Sequence, residues 1–186
     1  AFNAKLRWVN SMVYALPFGT GHLWARDGVA AKLAGGWQVA GIMSLQSGFP
    51  FTINISGDSA GIGGGSGGIL IRGNPVAGQD AQLPADRRST AKWFNTAAFV
   101  APPAYQFGVL GRNTVVGPGI FNIDFTLSRQ IHIRERLGLE IRAEAFNLFN
   151  KSNYTQIGRI INASDYGQVN SQLAPRQLQF GAKLTF

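Results

Sequence analysis

Glu140, Arg142, Glu144 and Lys183 are the residues whose types and spacing come nearest to a catalytic constellation. In an extended strand alternate side chains share a face, so Glu140, Arg142 and Glu144 point the same way. Paired carboxylates could divide acid and base roles in hydrolysis. At a strand rise of ~3.3 Å per residue, however, the two glutamates stand ~13 Å apart. Glycosidase carboxylate pairs lie ~5–9.5 Å apart. With an arginine between them, the three read instead as a charge ladder on a watered face, which Lys183 extends.

Other routes to chemistry close quickly. The chain has no cysteine, which excludes disulfides and thiolate metal sites. His22 and His132 are far apart in sequence and neither has a carboxylate at ligand spacing, so no metal is expected. GGGSGG at 63–68 has the G-x-G-x-x-G spacing, yet no helix pattern follows and no Lys-Ser/Thr closes a phosphate loop. It reads as a flexible loop. The balance of 17 basic and 9 acidic residues gives +8 and a pI near 10.5. Arg87-Arg88 is the only adjacent basic pair, so no nucleic-acid stripe forms and no nucleic-acid partner is expected. The expectation is a protein without catalysis and without cofactors.

The elements that carry the ladder are strands. Five segments alternate apolar and polar residues over long stretches. Ala4 to Leu16 keeps Leu6, Trp8, Met12, Tyr14 and Leu16 in phase, and Gly36 to about Ile55 does so with Trp37, Val39, Met43, Leu45, Phe49, Phe51 and Ile53. Phe121 to Ile133 sets Phe121, Ile123, Phe125, Leu127, Ile131 and Ile133 against a polar face that includes Asp124. Leu137 to about Phe149 sets Leu137, Leu139, Ile141, Ala143 and Ala145 against Glu140, Arg142 and Glu144. The fifth segment is QFGAKLTF at 179–186 with the two residues before it, where Leu178, Phe180, Ala182, Leu184 and Phe186 oppose Lys183 and its neighbours. VAAKLAGG at 29–36 offers one or two helical turns, and 57–119 reads as loop.

A sheet with one apolar face needs a covering layer. The remaining residues are rich in Gly, Pro, Asn and Ser and carry no 3.6-residue stripe, so nothing in the chain supplies one. The chain is 45% hydrophobic but only 14% charged, against ~25% in typical soluble domains. Lipid can cover the apolar faces. Transmembrane barrels use strands of ~9–11 residues, apolar outside and polar inside, with short turns at one end and long loops at the other. The fold expected is all-β, an antiparallel transmembrane barrel segment. Trp8, Tyr14, Trp37 and Phe186, near strand ends, suit interfacial girdles. Asp124, Glu140, Arg142, Glu144 and Lys183 fall on the lumen side. Arg129 has the parity of the lipid set, and near a turn it can snorkel toward headgroups. Facing apolar sets fix the hairpin register through a three-residue loop, Arg134-Glu135-Arg136, which pairs Ile133 with Leu137. Closed barrels need at least eight strands, so either further strands hide in the loops or the five are about the last strands of a larger barrel. The start without Met or leader gives the same expectation of a longer protein.

YALPFGTG, GGWQVAGIMSLQSGFPFTI, KWFNTAAF, FGVLGRNTVVGPGIFNIDFTLSRQIHI, LEIRAEAFNLFNKSNY and PRQLQFGAKLTF together span nearly all of residues 1–186. In that order they resemble the C-terminal barrel portion of TonB-dependent outer-membrane receptors, closest to the Oar-like group with a carboxypeptidase-regulatory-like domain. The resemblance implies a barrel of about 22 strands in the bacterial outer membrane, surrounded by lipid and moving a substrate with energy coupled through TonB. It places the plug that contacts TonB outside this chain. It also implies that Gln179, Gly181, Leu184 and Phe186 form the terminal signal read by the barrel-assembly machinery. Counting strands back from that end puts loops 57–119 and 150–174 outside the cell and 17–35 in the periplasm. The alternative is another outer-membrane barrel, porin-like or serving assembly or adhesion, and the remaining one a soluble β-sandwich binding module.

Overall fold

In the computed structural model, which describes residues 3–63, 70–134 and 137–186, five long strands form one sheet in sequence order. They are β1 Arg7–Ala15, β2 Trp37–Gln46, β3 Ile120–Arg134, β4 Leu137–Phe146 and β5 Gln177–Thr185. Each lies on one of the five alternating segments. The run 64–69, with most of the glycine-rich loop, and the turn residues Glu135 and Arg136 lie outside the described residues.

β3–β4 and β4–β5 pair antiparallel. β1 and β2 form a hairpin in which the Leu16 amide donates to the Trp37 carbonyl and the Ser47 amide to that of Leu6, both at 2.8 Å. Both bonds join residues whose numbers have the same total, so one register runs the length of the hairpin. β2 and β3 are also opposed: Gly36 lies against the Gln130 carbonyl and Gly41 against that of Asp124. The chain therefore reverses four times, and the strands have a turn end and a loop end. Residues 16–36 and the β3–β4 turn belong to the first, and the long connections after β2 and β4 belong to the second.

The register at the β3–β4 turn differs from expectation by one pair. Leu137 pairs with Arg134 rather than Ile133, and a bulge then restores Gly138 opposite His132 and Leu139 opposite Ile131. A tight closure at Arg134–Leu137 would by itself set apolar residues against polar ones. The extra residue, Ile133, absorbs that slip and keeps the faces in phase. From Gly138 onward the pairing is the expected one.

β2 is shorter than its alternation. It stops at Gln46 instead of reaching Ile55, because backbones close in just beyond. A Cβ at Gly48 would stand 1.8 Å from the Gly117 carbonyl oxygen. The chain then enters a separate unit, residues 46–120 and 153–173 with the first seven. This unit corrects the reading of 57–119 as loop material. Two-residue ladders tie it together, Pro50–Phe51 with Val115–Val116 and Asn54–Ile55 with Ile71–Arg72. Its core is built on Ile53, Phe94 and Val115, each wholly inaccessible. The Phe94 ring meets Phe51, Phe99 and Tyr166 edge-on at centroid distances of 5.8, 5.9 and 5.4 Å. Burial pushes the Tyr166 phenol up, so that side chain stays neutral and packs. The Asn95 side chain caps the 3₁₀ turn Thr96–Ala98 by accepting from the Ala97 amide, which turns the chain from Phe94 to Phe99.

The sheet unit has no comparable core. Among the described residues its only buried apolar side chains are Ala31 and Ala145. β1 and β5 are exposed along their whole length. It is a single layer.

Truncating Phe94 to Ala is expected to cost the loop unit about 3–5 kcal/mol while β1–β5 stay paired. Limited proteolysis of the folded protein should then cut within 46–120 much faster, with the gel migration of the folded barrel unchanged. Equal resistance in variant and parent would contradict the packed core.

Candidate functional site

At the centre of the sheet the register sorts the side chains of β3, β4 and β5 into an apolar and a polar face, with one exception, Arg129 opposite Ile141 on the apolar face. On one face Leu139 lies between Ile131 and Leu184, Ala143 between Leu127 and Phe180, and Ala145 between Phe125 and Leu178. On the other, Glu140 lies between Gln130 and Lys183, Arg142 between Ser128 and Gly181, and Glu144 between Thr126 and Gln179. Four of the five polar residues singled out from the sequence, Glu140, Arg142, Glu144 and Lys183, are thus brought together. Arg142 is the centre of the group. Its Nη2 donates to Glu140 Oε1 at 2.6 Å and its Nη1 to Glu144 Oε1 at 3.4 Å. A polar recess of about 460 Å³ opens over this face, lined by Gln38, Thr126, Ser128, Gln130, Glu140 and Arg142.

Gly181 sits opposite Arg142, where no side chain competes with the guanidinium. A Cβ there would meet nothing within 4 Å, so packing inside this sheet does not itself demand glycine. Gln179 shares the polar face with Gly181, whereas Leu184 joins the apolar one opposite Leu139. Tyr14, Trp37 and Phe186 lie at the turn end, and Trp8 lies toward the loop end.

Asp124, the fifth polar residue, serves a different structure. Its Oδ1 accepts from the Asn122 side chain at 2.8 Å and from the Asn147 amide at 2.9 Å. Asn147 ends β4 early, before the expected Phe149, because its φ of 51° leaves the strand region. It is one of the few side chains that tolerate such a backbone. Its buried amide group donates to the carbonyls of Lys151 and Ala174 at 3.0 and 3.1 Å, and its oxygen accepts from the Lys151 amide. Asn150, with the same φ, accepts from the Arg176 amide, and the Leu148 amide donates to the Ile123 carbonyl. The stretch Asn147-Leu148-Phe149-Asn150 therefore clasps β3, the end of β4 and the start of β5. Two asparagines three residues apart after a strand are the sequence signal for it, since both can hold the left-handed turn and bond to backbone.

Arg129 is held differently from its expected snorkelling. Its Nη2 donates to the Lys32 carbonyl, and its guanidinium lies 5.7 Å from the Trp37 ring centre. Lys32 stands in the last turn of the helix α1, Gly28–Ala34, where carbonyls lack helical partners and carry partial negative charge. The guanidinium is held by protein backbone and an aromatic face, while its Nε is buried without a partner among the described residues.

The loop unit has its own open cleft of about 650 Å³, with Phe49, Phe51, Thr52, Arg159, Asp165 and Asn170 among its walls. Asn170 donates to Asp165 there. Among the described residues no three His, Asp or Glu side chains stand close enough to hold a metal.

A family model described as an outer membrane beta barrel domain matches residues 1–179. No curated protein and no solved structure matches the chain.

Asn147→Ala should destabilise the sheet by about 2–4 kcal/mol, from buried groups left unpaired and a strained left-handed alanine. Asn147→Gly incurs only the first cost, since glycine adopts the left-handed backbone freely, and should recover roughly 1 kcal/mol of the loss. Urea titrations in lipid vesicles measure both. Two variants as stable as the parent would remove the clasp from the account.

Proposed function

The chain belongs to the family of outer membrane beta barrel domains, and from that premise we propose that it is barrel wall from a TonB-dependent outer-membrane receptor. It is a protein of the bacterial outer membrane. The observation that carries the proposal is the shared parity of the central strands, with Leu139, Ile141, Ala143 and Ala145 on one face and Glu140, Arg142 and Glu144 on the other. In a bilayer the apolar face meets acyl chains and the ladder meets a watered lumen. The finer reading, a receptor of the Oar-like group, rests on the six stretches that resemble that group.

In this reading Glu140, Arg142, Glu144 and Lys183 line the path of the substrate. Their formal charges cancel, which gives solutes polar contact without a strong ionic trap. Tyr14, Trp37 and Phe186 anchor one interface and Trp8 the other. The terminal residues Gln179, Gly181, Leu184 and Phe186 are offered to the assembly machinery. Residues 57–119 and 150–174 lie outside the cell, where long loops belong, and a plug coupled to TonB gates the lumen. No step calls for a catalytic group or a cofactor.

Planar-bilayer recording of the full-length parent protein tests the finer reading. A plugged receptor should be electrically silent and should bind the periplasmic part of TonB. Steady open-channel steps with no TonB binding would assign the barrel to a porin instead.

The faces differ in what they tolerate. Ala143→Arg, one apolar-face step farther from the turn end than the Ile141–Arg129 pair, should destabilise by about 2–4 kcal/mol. Arg142→Ile should leave the folded yield close to the parent's and alter permeation. Folding titrations in lipid that ranked the two in the opposite order would exchange inside for outside.

A further inference from the structure

The connection between β1 and β2 is too elaborate for a hairpin turn. Residues 16–36 contain a parallel bridge between Phe18 and Trp24, whose rings lie 5.6 Å apart, and then α1. Gly19 and Gly35 hold the base of this element together. A Cβ on Gly19 would stand 2.6 Å from the Gly35 Cα, and the φ of Gly19 is 103°. The element is packed closely enough to present a defined surface.

Its attachment says which face it covers. The Trp37 Nε1 donates to the Leu33 carbonyl at 3.1 Å, and Arg129 donates to the Lys32 carbonyl. Trp37 and Arg129 both have the parity of the apolar face. α1 is therefore fastened to the apolar side of the sheet, at its turn end. On the helix Ala31 is buried, while Val29 and Leu33, one turn apart, remain 72% and 65% exposed. Leu23 and Trp24 add 65% and 59% exposed surface nearby in the chain. Such a patch of large apolar side chains is abnormal on a surface that meets only water.

Cations border the patch. Arg26 Nε donates to the Leu23 carbonyl at 3.2 Å, which leaves its terminal nitrogens available, and Arg26 shares an open recess with His22 and Leu23. Lys32 is exposed beside Leu33. Asp27 is the one acid between Pro17 and Gly36. Apolar residues flanked by long basic side chains, on a helix lying along a lipid-facing wall, match an interfacial anchor.

We propose that residues 17–35 lie in the headgroup layer of the leaflet at the turn end, with Leu23, Trp24, Val29 and Leu33 among acyl chains and Arg26 and Lys32 on the phosphates of anionic phospholipid. The proposal rests on the apolar face of β1–β5 meeting lipid. It assigns the patch to lipid because it continues that face, whereas a protein partner would have to displace lipid from the same rim.

The absence of native cysteines permits single labels. An environment-sensitive fluorophore is placed in turn on Val29→Cys, Ile141→Cys and Ala77→Cys, and the folded proteins are inserted into vesicles of phosphatidylcholine with or without phosphatidylglycerol. With phosphatidylglycerol present, the Val29 label should shift to the blue and lose most of its emission to lipids brominated near the glycerol end. Arg26→Glu with Lys32→Glu should abolish the dependence on phosphatidylglycerol. The Ile141 label should be quenched by lipids in every mixture and the Ala77 label in none. A Val29 label reporting water beside a quenched Ile141 label overturns the anchor alone. An Ile141 label reporting water overturns the reading of the wall on which the anchor depends. Shielding of Val29 only in native membranes, not in purified vesicles, assigns the patch to a protein and also overturns the proposal.

Discussion

The whole sheet depends on keeping apolar side chains in register across strands that have no second layer behind them. Alternation within one strand is only a local property. It becomes a surface when Leu139 lies between Ile131 and Leu184 and Ala143 between Leu127 and Phe180, pair after pair. A slip of one residue in any strand would set its entire apolar set among Glu140, Arg142 and Glu144. The bulge at the β3–β4 turn illustrates the pressure: Arg134 closes against Leu137, and the next pair returns to phase at the expense of one unpaired residue. Regular hydrogen bonding is given up there so that the faces stay pure.

The same constraint explains the devices at the two ends. At the loop end, Asn147 and Asp124 stop β4 and join it to its neighbours, which locks the register where the strands leave for the long connections. At the turn end, Arg129 is the exception on the apolar face, and it is held by the Lys32 carbonyl and the Trp37 ring. A residue that contradicts the pattern of its strand is thereby the link that fastens α1 to the wall.

Much of this was legible in the residues. Period-two alternation located five strands and both of their faces, because half-burial leaves the same imprint at every second position. The charge group Glu140, Arg142, Glu144 and Lys183 followed from parity alone. The loop unit was invisible for a physical reason: Ile53, Phe94 and Val115 meet through two-residue ladders and irregular turns, and such a core imprints no period. Only a compositional oddity, the aromatic pair in Trp93-Phe94 followed by Phe99, hinted at a core among glycines and prolines. The clasp at Asn147 was hidden likewise, since its partners Asp124 and Ala174 are distant in sequence. The length of β2 was overestimated because alternation continues past Gly48, while backbone crowding at Gly117, which ends the strand, leaves no trace in local pattern.

The central claim is that one face of this sheet meets lipid and the other water. Spin labels placed singly at each position from Leu137 to Phe146, in protein inserted into vesicles, measure it directly through collision with oxygen and with a water-soluble nickel complex. The account predicts a strict two-residue alternation, with oxygen favoured at 139, 141, 143 and 145 and nickel at 140, 142 and 144. Uniform accessibility along β4, or an alternation of opposite phase, would contradict it.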